Sequence, residues 1–362
     1  MSMMTGAELV VAALEDEGVP FTFGIPGAQN LELYDALERS SRVRAILVTD
    51  EQAGAFMADG VSRASGRLGC LNLVPGAGLT HALSGIAEAF MDGVPLLVLA
   101  SGVRSDIGKA FQLHDVPQLE IVRPVTKGQY RVTEGAGLYQ AVRAACRLAR
   151  TPPCGPVAVE IPANLFIFRH PVMRDMPEPA PLPTPDDATV ADLTARLAAA
   201  KRPLLYLGAG AAAAGADLVR LAELLQAPVA TTIQGKGVFP ESHPLWLWCG
   251  FGPAAPDFAR GIARDCDATL AIGCRFAEVG TGSYGLDPPR PLLHVDIDPA
   301  VFGRNYAAEL AVCADARSLV AALLPRLAPR AADAGMRSAI AAGHRTVQAA
   351  WDALDGRHGV PG

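Results

Sequence analysis

Five prolines at alternate positions, Pro177, Pro179, Pro181, Pro183 and Pro185, are the strongest constraint on what this chain can fold into. Proline fixes φ and removes a backbone donor, so this density rules out helix and sheet interior. The stretch 173–187 therefore reads as an extended linker. It divides the 362 residues into two parts, each long enough for a domain with its own core.

On both sides of that linker, strand and helix signals alternate. Thr5 and Glu8 have capping-box spacing, Leu9, Val10, Ala13 and Leu14 recur on one helical face, and Gly18 closes the helix. Phe21-Thr22-Phe23 reads as a strand leading into a turn at 24–28, and residues 31–37 read as a helix. Strands are expected at 46–48, 71–74, 96–99 and 157–161, with helices at 82–91 and 139–150. Beyond the linker, strands are expected at 203–207, 229–232, 268–272 and 292–297. This alternation predicts an α/β fold of two doubly wound parallel-sheet domains, at 1–172 and 188–328. The Ala-rich run 209–216 reads as tight helix packing or a Gly-Ala turn. Residues 329–362 read as a tail of weak helical periodicity that ends in a loop at 356–362.

Several classes of function are excluded by totals. The net charge of −6 gives no electrostatic footprint for nucleic acid or an anionic membrane. No apolar run approaches a membrane span, and no signal peptide is evident at the N-terminus. Seven cysteines are scattered, with no C-x-x-C pair. They read as reduced, mostly buried thiols of a cytoplasmic protein, and no metal site is expected from them.

Glu51 is the leading chemical candidate. It follows the apolar run Ile46-Leu47-Val48, which reads as a buried strand, and opens a small-residue helix. A carboxylate at the C-terminal end of a parallel strand lies where open α/β sheets bind ligands. Apolar neighbours would desolvate it, which suits a group that must share a proton. The alternative is that Asp50 or Glu51 merely caps the helix.

Around Glu51 stand Phe23-Gly24-Ile25-Pro26-Gly27-Ala28, Leu73-Val74-Pro75-Gly76-Ala77-Gly78-Leu79-Thr80-His81, Met91-Asp92-Gly93-Val94-Pro95-Leu96-Leu97-Val98-Leu99 and Arg123-Pro124-Val125-Thr126-Lys127. In this order they resemble the pyrimidine-binding domain of thiamine-diphosphate enzymes, with the acetolactate synthase large chain as the nearest group. The resemblance runs from Thr5 to Pro325. It implies that Glu51 hydrogen-bonds ring nitrogen N1′ of the cofactor's aminopyrimidine, an acid–base contact relayed through the cofactor. It places Pro26, Gly27, Ala28, Val74, Gly78 and His81 around thiamine diphosphate. It brings Phe111 and Gln112 to a neighbouring subunit's site and sets Lys127 near the substrate channel.

Two departures stand inside these motifs. Asp50 replaces the group's usual histidine and is expected to point to the other side of the strand end. Gly76-Ala77-Gly78-Leu79-Thr80-His81 replaces Gly-Pro-Gly-Ala-Thr-Asn. His81 could then be an extra acid–base group, since imidazole titrates near neutrality, or a helix-start residue whose ring is satisfied by backbone.

The second half resembles the family's central domain through Ala230-Thr231-Thr232-Ile233-Gln234-Gly235-Lys236-Gly237-Val238-Phe239-Pro240, Ile272-Gly273-Cys274-Arg275-Phe276 and His294-Val295-Asp296-Ile297-Asp298-Pro299. In acetolactate synthases this domain binds FAD. Gly208-Ala209-Gly210 could approach a pyrophosphate, and Asp296 and Asp298 could hold a ribose or merely end a strand. Pro153 stands where flavin-binding members carry arginine, which puts FAD in doubt. The family's diphosphate-binding domain clamps the cofactor through Mg²⁺ with a Gly-Asp-Gly signature, and no Gly-Asp-Gly occurs here. The expectation is a truncated chain, a split subunit whose partner chain supplies that domain, or a non-catalytic relative.

The activity implied is decarboxylation of a 2-oxo acid such as pyruvate, with ligation to an acceptor, in a homodimer or tetramer. The alternatives are a simple 2-oxo acid decarboxylase of the benzoylformate decarboxylase type, or a non-catalytic scaffold subunit.

Overall fold

The computed structural model describes residues 3–358, with side chains described as far as Leu354. The chain divides into two compact units between Ala180 and Pro181.

The first unit contains strands β1 (Met3–Thr5), β2 (Phe21–Gly24), β3 (Arg44–Leu47), β4 (Gly69–Leu73), β5 (Leu96–Gly102), β6 (Gly128–Arg131), β7 (Pro156–Pro162) and β8 (Arg169–Pro171). Its helices are α1 (Gly6–Asp16), α2 (Leu31–Glu38), α3 (Glu51–Ser65), α4 (Ala77–Asp92), α5 (Gln118–Val122), α6 (Leu138–Arg150) and α7 (Ala163–Ile167). Six strands form a parallel sheet in the order β3-β2-β4-β5-β7-β6. From β2 the chain steps outward to β3, then crosses back to β4 on the other side. The crevice over the C-terminal ends of β2 and β4 is thus a topological switch point, where such sheets bind ligands.

The central strands read as continuous apolar runs because both of their faces are covered. Leu97, Leu99, Val157 and Val159 enter one core cluster with α1 and α6. Their neighbours Leu96, Val98, Ala100 and Ala158 enter the other, against α3 and α4. The period of two along each strand assigns the residues to the two faces. Helix α1 starts on the expected capping box: Glu8 N–H donates to Thr5 Oγ1 at 3.2 Å, and Thr5 N–H donates to Glu8 Oε2 at 2.8 Å.

One expectation is corrected here. The strand at 46–48 is not a buried one. It runs over Arg44–Leu47 at the edge of the sheet, where Leu47 is 68% exposed and only Val48, just beyond it, is buried. β1 and β8, which pair antiparallel, are too short to show a period in the sequence.

The second unit contains α8 (Asp187–Ala199), β9 (Pro203–Leu207), α9 (Ala216–Leu225), β10 (Val229–Thr231), β11 (Trp246–Cys249), α10 (Asp257–Arg264), β12 (Ala268–Ile272), β13 (Leu292–Asp296), β14 (Leu310–Cys313), α11 (Ala316–Leu323) and α12 (Ala334–His358). Its parallel sheet has the order β11-β10-β9-β12-β13-β14, with the switch point between β9 and β12. Residues 209–214 form a 3₁₀ turn that buries Ala211 and Ala214.

The tail differs from expectation. Residues 356–358 belong to α12 and are not loop, while 359–362 lie outside the described residues. α12 is held by aromatic contacts that a count of aliphatic periodicity misses. His344 stacks on Trp246 at 4.9 Å, with Nε2–H donating to the Trp246 carbonyl at 3.1 Å. Gly343 lies so close to the Phe258 ring that a Cβ there would stand 2.1 Å from it.

Candidate functional site

The candidate site is built by three strand-to-helix turns on the first unit's sheet. The turn after β2 carries Pro26, Gly27 and Ala28. Asn30, fully buried, pins it: Gly27 N–H donates to Asn30 Oδ1 at 2.7 Å, and Asn30 Nδ2 donates to the Ile25 carbonyl at 3.3 Å. The same Nδ2 reaches Asn72 Oδ1 on β4 at 3.3 Å, so a buried amide pair ties the first turn to the strand beside it.

The turn after β4 carries Val74, Gly76 and Gly78. Gly76 has φ +63° and ψ −102°, a conformation that favours glycine, and it precedes the first residue of α4. Val74 is gripped from both turns. A Cβ on Gly27 would lie 2.6 Å from Val74 Cγ1, and one on Gly78 would lie 2.7 Å from Val74 Cγ2. The Gly78 position also faces the carboxylate, since its Cβ would stand 3.3 Å from Glu51 Oε1.

The third turn follows β3. Asp50 caps α3 by accepting from Gln52 N–H at 2.9 Å. Glu51, the first residue of the helix, turns inward and is only 8% exposed. His81, one turn into α4, meets it with Nδ1 3.4 Å from Glu51 Oε2. The imidazole is therefore satisfied by a carboxylate and not by backbone. Asp50 does not point to the other side of the strand end either: it offers an oxygen within 4.8 Å of the Glu51 and His81 donor atoms. The reason is the cap, which fixes its side chain over the helix start. Behind Glu51 lies Tyr34, whose buried hydroxyl has no partner among the described residues. Burial, with the Cys70 thiol and the Glu51 carboxylate nearby, pushes that phenol well up.

The structure brings Pro26, Gly27, Ala28, Glu51, Val74, Gly78 and His81 to these three turns. It does not bring Phe111, Gln112 or Lys127 into contact with Glu51. Phe111 is fully exposed at φ +60°, on a loop that runs past Gly76. Gln112 Nε2 donates to the Arg104 carbonyl of the same loop at 2.8 Å. Lys127 precedes β6, at the N-terminal end of a parallel strand, while Glu51 follows the C-terminal end of another. Its ammonium donates to the carbonyls of Leu148 and Thr151 and so closes α6. Burial pulls its pKa down. Asn30, Asn72 and Tyr34, which pack beneath these turns, carry no motif in the sequence, although a polar Asn72 inside the apolar run 71–74 is a readable signal.

In the second unit, glycines crowd the switch point. A Cβ on Gly208 would lie 1.9 Å from the Gly273 carbonyl oxygen, and one on Gly210 would lie 2.8 Å from Gly273 Cα. Their lack of a side chain allows close backbone packing between the turns after β9 and β12. Asp296 and Asp298 are both engaged by backbone: Asp298 N–H donates to Asp296 Oδ1 at 3.0 Å, and Ala300 N–H donates to Asp298 Oδ1 at 2.9 Å. Burial raises the Asp296 carboxyl.

Comparison with known proteins agrees with this architecture. Residues 4–121 match the thiamine pyrophosphate enzyme N-terminal TPP binding domain, and residues 190–323 match the thiamine pyrophosphate enzyme central domain. The chain is 36% identical over 336 residues to the probable acetolactate synthase large subunit of Methanocaldococcus jannaschii, covering 90% of this chain and 56% of that protein. It is 33% identical over 341 residues to the isozyme 3 large subunit of Escherichia coli, covering 92% and 59%. With the Corynebacterium glutamicum large subunit it shares 36% over 330 residues, covering 89% and 52%. The chain thus spans little more than half the length of these curated relatives. Among the described residues, no helix is long and apolar enough to cross a membrane. A parallel sheet with Glu51 at its switch point, and matches to two successive domains, place this chain in the thiamine pyrophosphate enzyme family, with acetolactate synthase large subunits as its relatives.

Proposed function

We propose that the first unit holds the aminopyrimidine end of thiamine diphosphate against Glu51, within an enzyme that decarboxylates a 2-oxo acid such as pyruvate and joins the product to an acceptor. The observation that carries this reading is the buried Glu51 carboxylate lying against Gly78 at the start of α4. The residues fit the cofactor: a carboxylate can share a proton with a ring nitrogen, and the glycines at 27 and 78 let Val74 pack between the two turns beside it. When bound, thiamine diphosphate supplies the electron sink for decarboxylation.

The chain's own residues do the rest. Glu51, itself largely buried, holds or accepts a proton at its carboxylate. Val74, wedged between Gly27 and Gly78, fixes the spacing of the two turns. The Asn30–Asn72 pair keeps the first turn in register with β4. No Gly-Asp-Gly occurs in the sequence, so the diphosphate and its Mg²⁺ are assigned to residues outside these 362. The assembly proposed is a homodimer or tetramer, with the exposed Phe111 presented to a neighbouring copy by the loop that Gln112 holds through Arg104.

The test is turnover of pyruvate by enzyme containing this chain, given saturating thiamine diphosphate and Mg²⁺. Glu51→Gln is expected to lower kcat by about 10²–10⁴-fold, typical for loss of an acid–base group, with the fold intact by circular dichroism. Near-normal turnover by the variant would defeat the assignment.

A further inference from the structure

Three side chains able to ligate one cation meet where α3 and α4 begin. Asp50, Glu51 and His81 each offer a donor atom, and all three atoms lie within 4.8 Å of one another. The Glu51 Oε2 to His81 Nδ1 separation is 3.4 Å. Two zinc-class bonds of about 2.1 Å at a tetrahedral angle set their donors about 3.4 Å apart. The pair already has the spacing of two ligands on one ion.

The donor chemistry selects the ion. Two carboxylates and an imidazole suit Zn²⁺, Co²⁺ or Ni²⁺, whereas Mg²⁺ and Ca²⁺ prefer all-oxygen sets. The ligands come from two helices locked together: a Cβ on Gly85 of α4 would lie 2.6 Å from Ala55 Cβ of α3. That contact fixes the distance between the two helix starts. Asp50 uses Oδ1 for its cap to Gln52, which leaves its second oxygen for a ligand role. The sole hydrogen bond of His81 among the described residues is the one to Glu51. Its ring is otherwise open to solvent, so water can complete the coordination. The helix start carries about half a positive charge, which the two carboxylates outweigh.

We propose that Asp50, Glu51 and His81 form a three-ligand site for one divalent transition-metal ion of the zinc class. A consequence rests on the function proposed above: the ion and the aminopyrimidine both claim Glu51, so their binding is mutually exclusive and the metal inhibits.

The experiment uses Co²⁺ as probe, followed by its visible absorption, and Zn²⁺ by calorimetry, on the full chain without cofactor. The expected result is one ion per chain, bound at least tenfold more weakly by His81→Ala and by Asp50→Asn. Asn at 50 keeps the helix cap, and His81 is exposed, so both variants should melt as wild type. Cys313→Ser removes the exposed thiol as a rival ligand and is expected to change nothing. Wild-type affinity in His81→Ala, no binding at millimolar Co²⁺, or binding lost in Cys313→Ser would each overturn the site. Titrating the cofactor as thiamine, which carries the aminopyrimidine without the metal-chelating diphosphate, into the Co²⁺ complex separates the two readings. Release of Co²⁺ supports both. Co²⁺ retained while the cofactor binds leaves the metal site standing and overturns the placement of the cofactor at Glu51.

Discussion

His294 shows how much a single buried side chain can set. Its ring lies inside β13, with Nε2–H donating to the Cys274 carbonyl at 2.8 Å and Nδ1 without a partner among the described residues. Phe276 and Phe302 approach it edge-on at 5.1 and 5.0 Å. Desolvation in this apolar cage favours the neutral ring and pulls its pKa below the usual 6.5. The unfolded chain then binds the proton more readily than the folded one. The stability tied to His294 is fully present above pH 6.5 and drains away as pH falls from there through the folded-state value. The thermal midpoint of the second unit is therefore expected to drop as pH is lowered from 6.5. His294→Gln keeps an N–H for the Cys274 carbonyl and should flatten that slope. Asp296, whose carboxyl burial raises, pulls the opposite way, so the readout is the difference between variant and wild type. Equal slopes in the two proteins would assign the pH dependence to other groups.

At the scale of elements, the turn between β4 and α4 is the part of the site with the least room. Val74 cannot yield to a new methyl on Gly78 without meeting Gly27, because both positions already crowd its two γ-methyls. Gly78→Ala is expected to cost about 1–3 kcal/mol, the usual range for overpacking, and to weaken thiamine-diphosphate binding by displacing Glu51. Gly60→Ala on α3, where a Cβ would meet nothing within 4 Å, is the control and should be neutral or stabilising. Denaturant unfolding and calorimetric titration of both variants check this, and equal stability would show that the turn can relax. The same turn shows what was legible beforehand. β4, β5 and β7 are mostly apolar runs, and the glycines mark the turns. β6 (Gly-Gln-Tyr-Arg) and β14 are short, mixed edge strands without a readable pattern. The Glu51–His81 contact joins residues 30 apart and the Asn30–Asn72 pair residues 42 apart, so both depend on which strands become neighbours. Only the family resemblance sets Lys127 near the substrate channel. Its place just before a parallel strand puts it at the end of the sheet away from the crevice.

At the scale of the whole molecule, each unit carries its own sheet and core, and the proline-rich segment is tied to each by separate contacts. Residues 172–186 adopt no helix or strand. Arg147 donates to the Pro177 carbonyl at 2.6 Å, and Asp315 N–H donates to the Pro183 carbonyl at 2.8 Å. Between those anchors, residues 178–182 make no hydrogen bond among the described residues. An insertion is tolerated where backbone makes no such bonds, and loop entropy grows slowly with length. Six Gly/Ser residues placed between Ala180 and Pro181 should therefore leave the unfolding midpoints unchanged within error. The same insert with Ala as its last residue, placed between Asp186 and Asp187, should not be silent. It separates α8 from its cap, in which Thr189 N–H donates to Asp186 Oδ1 at 2.6 Å, and loss of such a cap costs about 1 kcal/mol. Scanning calorimetry of the two insertions side by side decides the matter. A destabilised first protein would show that the segment between the anchors is under structural constraint, and an unaffected second one would show that the start of α8 does not depend on Asp186.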